Sequence, residues 1–297
     1  DTYTLLNLGK EWKLNATNTL HQRLYLGDYR YDGVFPYDYS AEAVADPRLM
    51  NVDLAKGSWW GIENRVVNTQ WAGQRITLGV EYKSNWRQNQ HNEDRGYGCV
   101  SASAVSAAPC LDDQRSSRQI SVVAQDEIQI GEATLLTVGG SYDHNSQFGS
   151  FWSPRLGVTH DAGTAGIFKL LYGTAFRTPT VYERYYSPTN FPYGNPNLRP
   201  EKLESLEVTW EKRFLNTSRL TLTAFAFEID RLGSIDNAGM AINGSTVQGR
   251  GLEAEVERWW RNGVRLRGGF SAQRASDHNG LMDNSPTYMV KFNAAIP

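Results

Sequence analysis

Hydrophobic and polar residues alternate with a period of two along almost the whole chain. Ile76, Leu78, Val80, Tyr82 and Trp86 oppose Arg75, Thr77, Glu81, Lys83 and Asn85. Leu206, Val208, Trp210 and Phe214 oppose Glu207, Thr209, Glu211 and Arg213. Leu252, Ala254 and Val256 oppose Glu253, Glu255 and Glu257. Successive side chains of a strand point to opposite faces, so this is the pattern of two-faced β-strands. No segment reads as a long helix. Runs of this kind, bounded by Gly, Asn and Pro, predict about 13 strands. Their spans are 2–14, 19–35, 51–69, 75–94, 116–130, 134–149, 151–162, 164–179, 204–216, 219–232, 246–260, 264–277 and 286–297. Several exceed the mean strand of soluble proteins, about 5–6 residues, two- or threefold. The faces of 219–232 stay open, because Leu220/Leu222 and Phe225/Phe227 have opposite parity.

The connections alternate too. Short ones fall near 15–18, 72–74, 131–134, 161–164, 216–218 and 261–263, and long ones near 36–50, 95–115, 180–203, 233–245 and 277–285. Short turns at one end and long loops at the other are the arrangement of an antiparallel transmembrane β-barrel. A soluble β-sandwich would alternate in pattern, but it needs neither such long strands nor such unequal ends. An odd number of antiparallel strands cannot close a simple barrel. Each bare edge would leave N–H and C=O groups in lipid, at several kcal/mol per group. The expectation is therefore that residues 1–297 are a partial barrel, short of strands at both ends.

Composition narrows the class. Mean hydropathy is −0.51, and no apolar run approaches the roughly 18–20 residues of a spanning helix. Barrel strands, needing only about 9–11 residues and greasy on one face, escape that test. A net charge of −2 with no basic stripe predicts no nucleic-acid partner. Asp1-Thr2-Tyr3-Thr4 is already strand-like, with no signal-peptide character, so the chain reads as processed or cut from something longer. Cys99 and Cys110 stand eleven positions apart in a small, polar segment. They read as a disulfide pinning an exposed loop in an oxidising compartment, or else as two free thiols; the spacing does not suit a metal pair.

One stretch stands out, Leu170 to Glu201. Before it, Phe168, Leu170, Tyr172, Thr174 and Phe176 share one face, and Lys169, Gly173, Ala175 and Arg177 the other, with Leu171 as the exception. The strand Tyr172–Thr180 has the form Y-G-x-A-F-R-x-P-T, and its loop ends N-P-N-L-x-P-E at Asn195–Glu201. This resembles a signature of TonB-dependent outer-membrane receptors. The resemblance implies an all-β barrel of 22 strands closed over a plug, of which about 13 are present here. It implies capture of a scarce nutrient, most commonly a ferric siderophore, with vitamin B12, haem or another metal complex as alternatives. The implied partners are outer-membrane lipid and lipopolysaccharide, the receptor's own plug, and the TonB energising complex acting through that plug. No cofactor is implied. The plug and a closing C-terminal strand are not visible in the chain.

Within that loop, Tyr182, Tyr185, Tyr186, Phe191 and Tyr193 put five rings in twelve positions. Such density suits a planar ligand, or the outer aromatic girdle of a barrel. By chemistry and position the candidate ligand contacts are Arg95, Tyr97, Tyr182, Arg184, Tyr185 and Tyr193. Tyr25, Tyr29, Tyr31 and Phe35 share parity and, with Trp59-Trp60 and Trp259-Trp260, read as interface anchors. Arg155, Lys169, Arg177, Glu207, Glu211, Arg213, Glu253, Glu255, Glu257, Arg265 and Arg267 fall on inward faces. They read as a hydrated wall, or as contacts to a plug; Arg213 or Arg265 could match the Glu253–Glu257 column. Gln88–Asp94 reads as a solvated strand tip. Asp143 and His144, as strand neighbours, point to opposite faces and cannot share a triad. No phosphate loop, nucleophile elbow or zinc spacing is present. The rivals to a receptor are a passive porin, an outer-membrane enzyme and a soluble secreted domain.

Overall fold

The computed structural model describes residues 1–38, 48–101, 104–189, 191, 193–215, 217–283 and 285–297, save the side chains of Asp38 and Arg48. In chain order the strands are β1 (Thr2–Lys13), β2 (Asn18–Asp38), β3 (Arg48–Asn68), β4 (Gln74–Asp94), β5 (Cys99–Val100), β6 (Val105–Ser106), β7 (Leu111–Ile130), β8 (Thr134–Asn145) and β9 (Gly149–Asp161). They continue as β10 (Ile167–Arg177), β11 (Glu201–Phe214), β12 (Ser218–Asp230), β13 (Gly233–Ile235), β14 (Ala241–Asn243), β15 (Val247–Trp259), β16 (Arg265–Asp277), β17 (Gly280–Leu281) and β18 (Tyr288–Ala295). Thirteen of these are long and match the thirteen segments of period-two alternation. The other five are short pieces within loops.

The long strands form one antiparallel sheet in sequence order, each paired with the next, and β17 and β18 both pair with β16. Within the described residues β1 pairs only with β2, and β18 only with β16, so the sheet is open at both edges. β2, β3 and β4 run 21 residues and β7 runs 20. A span needs about 9–11, so these four continue past the bilayer as a wall. The long loops lie at that same end.

Register sorts the side chains into two faces. Leu24, Ile62, Leu78, Val122, Val138 and Val208 are among the large apolar residues left exposed on the outer face. The inner face carries charge, paired across strands. Glu257, with only 4 % of its side chain exposed, takes Arg219 at 2.9 Å on one side and Arg265 on the other. Lys169 sits 3.6 Å from Glu211, and Arg267 pairs with Glu255. Arg265 thus meets the glutamate column, whereas Arg213 does not. Its register partner is Arg219 and its carboxylate is Glu211 on its own strand. Asp143 faces inward to Ser121 and to Ser141 at 2.8 Å, while His144 faces outward to Ser150 at 3.0 Å.

The two-faced pattern of β12 resolves into grease on both sides. Leu222 and Ala224 are exposed on the outer face, and Phe225 and Phe227 lie in the lumen beside Leu171 and Leu203. The inward rings are accommodated by glycine. Phe227 is in register with Gly249 and Phe225 with Gly251. A Cβ on Gly249 would come within 2.2 Å of the Phe227 ring, and one on Gly251 within 2.7 Å of Phe225. The same device recurs where Trp59 lies over Gly27 and Tyr25 over Gly61.

Tyr25, Tyr29 and Tyr31 are therefore not interface anchors. The Tyr25 hydroxyl donates to Glu81 at 2.6 Å, and Tyr29 and Tyr31 line a lumen cavity. Their parity follows the inner face because Gly27 and Gly33 between them leave room for rings. Of the Trp59-Trp60 pair, Trp59 faces inward and Trp60 packs on Tyr82 at 5.4 Å on the outer face.

β4 carries one extra residue. The register with β3 slips between Ser58 and Trp59, and with β7 between Asn85 and Gln88. Below this bulge Lys83 and Asn85 face inward. Above it Gln88, Gln90, Asn92 and Asp94 do. Gln90, Asn92 and Asp94 are buried at 6 %, 4 % and 0 % exposure, so Gln88–Asp94 is not a solvated tip. A Gly249→Val substitution should force Phe227 aside and lower the melting temperature, at a cost of about 1–3 kcal/mol. Thermal melts in detergent check this; an unchanged midpoint would mean the ring moves freely.

Candidate functional site

At the loop end, the strand extensions and the 178–200 loop enclose a cavity of about 750 Å³. Its floor and walls come from Tyr29, Tyr31, Asp53, Lys83, Asn85, Gln88, Gln90, Gln119 and Asn145, and its roof from Thr178, Pro179, Thr180, Val181, Tyr182 and Tyr186. The lining mixes rings, amides and three charged groups, Asp53, Lys56 and Lys83, which suits a polar ligand with planar surfaces.

The roof is a folded unit. Thr180 caps the short helix α1 (Val181–Tyr185) as a reciprocal capping box: the Glu183 N–H donates to Thr180 Oγ1 at 3.1 Å, and the Thr180 N–H to Glu183 at 2.7 Å. The Arg177 guanidinium forks onto Glu183 at 3.0 and 3.1 Å. Its other nitrogen holds Glu201, which also accepts the Gly233 N–H at 2.8 Å. The two ends of the signature, Arg177 and Glu201, are thereby clamped together across the base of the loop. The Asn195 amide donates to the Ala241 carbonyl at 2.9 Å, and Asn243 exchanges hydrogen bonds with the Arg199 backbone at 2.8 and 2.9 Å. These bonds tie the loop to the β13–β14 hairpin. Gly194 lets the chain fold back, for a Cβ there would meet the Tyr186 nitrogen at 2.7 Å.

The rings cluster. Tyr182 stacks on Tyr186 at 4.5 Å and meets Tyr193 at 4.9 Å, and Phe191 lies parallel to Tyr193 at 6.0 Å. Tyr182 and Phe191 keep about half of their surface exposed, at 46 % and 50 %, so ring faces remain open for contact. Tyr186 is buried, and its hydroxyl accepts from Asn92 at 3.3 Å. Burial, then the Asp53 carboxylate beside it, holds its hydroxyl protonated far above the usual range.

Of the six candidates from the sequence, Tyr182 and Tyr193 lie together in this cluster. Arg184 is committed to the Pro196 carbonyl at 2.6 and 3.1 Å and rests over the Phe148 ring at 4.8 Å. Tyr185 lies under the Arg115 guanidinium at 3.3 Å. Arg95 and Tyr97 stand apart, in the turn that leads from β4 to the β5–β6 hairpin. A disulfide joins Cys99 to Cys110 there. Buried Asp94 receives the Val100 N–H at 2.8 Å and the Asn51 amide at 2.9 Å, fixing that hairpin to the strand tops. Asp94 and the two sulfurs are close enough to suggest a metal site, but both sulfurs are spent in the disulfide.

Sequence reasoning missed Tyr29, Tyr31, Asp53 and the amides of β4 as cavity lining. For the β4 amides the signal, inward parity near a long loop, is obscured by the bulge; for Tyr29 and Tyr31 parity alone does not choose between the two faces. Replacing Arg177 by Met should loosen the loop without opening the barrel. With Arg177 half-exposed the local cost is about 1 kcal/mol, roughly fivefold in protease nicking within 178–200. Limited proteolysis of the folded protein checks this.

Residues 1–295 match the family described as TonB dependent receptor-like, beta-barrel. The probable TonB-dependent siderophore receptor PirA of Acinetobacter baumannii is 24 % identical over 250 residues, which cover 75 % of this chain and 31 % of that protein. The vitamin B12 transporter BtuB of Vibrio cholerae is 26 % identical over 189 residues, covering 62 % and 29 %. Among solved structures, the copper transporter OprC superposes with a TM-score of 0.76 at 12 % identity, over 98 % of this chain and 49 % of that one. The chain thus spans about a third of the curated relatives and half of that structure. The match over almost the whole length, with the open antiparallel sheet and its paired lumen charges, identifies the chain as a member of the TonB-dependent receptor-like β-barrel family of the outer membrane.

Proposed function

We propose that this chain is barrel wall throughout, residues 1–297 being the middle of a larger barrel, and that the receptor takes up a ferric siderophore. The two open sheet edges and the third-length coverage of the PirA relative support the first part. In this reading further strands close the barrel, a separate plug fills the lumen, and the TonB complex drives transport through that plug.

The observation that carries the ligand class is the ring cluster of Tyr182, Tyr193 and Phe191, in which Tyr182 and Phe191 are half-exposed and Tyr182 roofs the amide-lined cavity. Siderophore chelates present flat faces and many carbonyl and hydroxyl oxygens. Rings supply the former with contact, and Gln, Asn and Tyr hydroxyls supply the latter with donors. Tyr182 and Tyr193 are the contacts proposed at the centre. Tyr185, Arg184, Arg95 and Tyr97 act in support, the first two by shaping the roof and the last two at the loop margin.

The test is ligand binding to the full-length receptor, read by intrinsic fluorescence quenching with a ferric catecholate, a ferric hydroxamate and cobalamin. Tyr182→Ala with Tyr193→Ala should weaken the bound ferric chelate by roughly 10- to 100-fold, the loss of one or two ring contacts. Binding of cobalamin alone would overturn the siderophore reading. Uptake that persists without the energising complex would make the protein a passive channel.

A further inference from the structure

The roof end of the cavity holds a carboxylate that no lysine or arginine matches among the described residues. Asp53 is the only acid among the described residues that line the cavity. It is partly buried on the inner face of β3, above the register slip and so outside the lipid band. Of the two lysines in the lining, Lys56 alternates to the other face of β3. Lys83 stands lower, in register with Gly61, with its ammonium over the Trp59 ring at 5.9 Å. Gly61 lies eight positions from Asp53, roughly 26 Å along a strand. His91 is in register with Leu54 on the outer face and sits 3.4 Å from Glu93. The hydrogen-bonding neighbours of Asp53 are neutral, the Tyr186 hydroxyl and the Asn92 amide. Burial outweighs them and lifts its carboxyl above the usual range.

Rings surround this carboxylate. Directly across from Asp53 on β2 stands Gly33. The rings of Tyr31 and Phe35 lean over that glycine, within 2.5 and 2.7 Å of where a Cβ would be. Tyr182 and Tyr186, stacked at 4.5 Å, close the space from the roof. Tyr31, Tyr182 and Tyr186 all lie within reach of the Asp53 charge.

A carboxylate among ring faces selects for charge. Each ring face carries negative potential, which attracts a cation and disfavours an anion. An ammonium placed here gains the opposite charge of Asp53 and a charge-assisted hydrogen bond, in a space where water is already thinned. A divalent metal fits less well. It wants about six oxygen ligands, and the groups beside Asp53 are rings and one amide.

We infer that Asp53, ringed by Tyr31, Tyr182 and Tyr186, is an ammonium subsite, and that the cargo is a ferric siderophore carrying a free, positively charged amine. This rests on the siderophore reading of the cavity and adds the charge of the ligand to it. The chelate itself would lie against the amides of β4 and β7, with its amine turned up toward the roof.

The experiment compares two probes on the full-length receptor by fluorescence quenching. One is ferrioxamine B, a linear ferric trihydroxamate ending in a primary amine. The other is its N-acetyl derivative, which keeps the chelate and loses the charge. The unaltered receptor should bind the amine roughly tenfold more tightly, as expected for a charge-assisted hydrogen bond with ring contacts. Asp53→Asn should bring that ratio close to one. Tyr31→Leu should shrink it severalfold, and Tyr31→Phe should keep it. Heat-modifiable migration on gels shows each variant to be a folded barrel. A ratio near one in the unaltered receptor, or a ratio that Asp53→Asn leaves intact, would overturn the proposal. So would binding of an anionic ferric catecholate with neither trihydroxamate, a result that leaves the siderophore reading standing. Binding of cobalamin alone removes both.

Discussion

A strand in a bilayer has no water to fall back on, so every backbone N–H and C=O must find its partner in the adjacent strand. That requirement fixes register, and register fixes everything else in this chain. Once the long strands pair in sequence order, each side chain is committed to lipid or to lumen with no intermediate choice. The inward set must then be mutually compatible in charge and volume. The structure meets this with Glu257 shared between two arginines and with rings laid over glycines in register. A slip of one residue would turn Glu255 and Glu257 to lipid.

The same logic explains why the family signature consists of loop-forming residues. Arg177 and Glu201 lie where two neighbouring strands leave the sheet. Their ion pair, extended to Glu183 and the Gly233 N–H, holds the ends of a long loop that would otherwise be entropically expensive to order. Thr180, Glu183, Gly194 and Asn195 then shape the loop locally. The aromatic residues that differ in chemistry from this frame include Tyr182 and Phe191, which pack on Tyr193 and are free to present faces. Frame and contact surface are thus interleaved in one segment but built from different residue types.

Much of the fold was legible. Thirteen alternating segments became thirteen long strands, because lipid on one side and a polar lumen on the other impose period two without exception for tertiary context. β7 begins at Leu111, five positions before the span that the pattern predicts, since strand extensions above the bilayer need not be greasy outside. Parity alone did not place Tyr25, Tyr29 and Tyr31, for a ring is equally at home at a lipid boundary or packed on glycine. Nor did it separate Arg213 from Arg219, which depends on the offset between strands. The cavity was the least legible part, because its lining comes from five strands and a loop that meet only through register.

The bulge in β4 has a consequence for how such a wall varies. Below it the strand's phase is tied to the lipid band; above it the phase is reset by one residue. The upper segment, with Gln88, Gln90 and Asn92, can therefore change its aim, or gain and lose a residue, while Ile76 to Tyr82 keep their places against the acyl chains. The molecule has a mechanical joint at the height where solvent replaces lipid. It separates a fixed requirement of burial from a surface that is at liberty to follow whatever molecule approaches from outside.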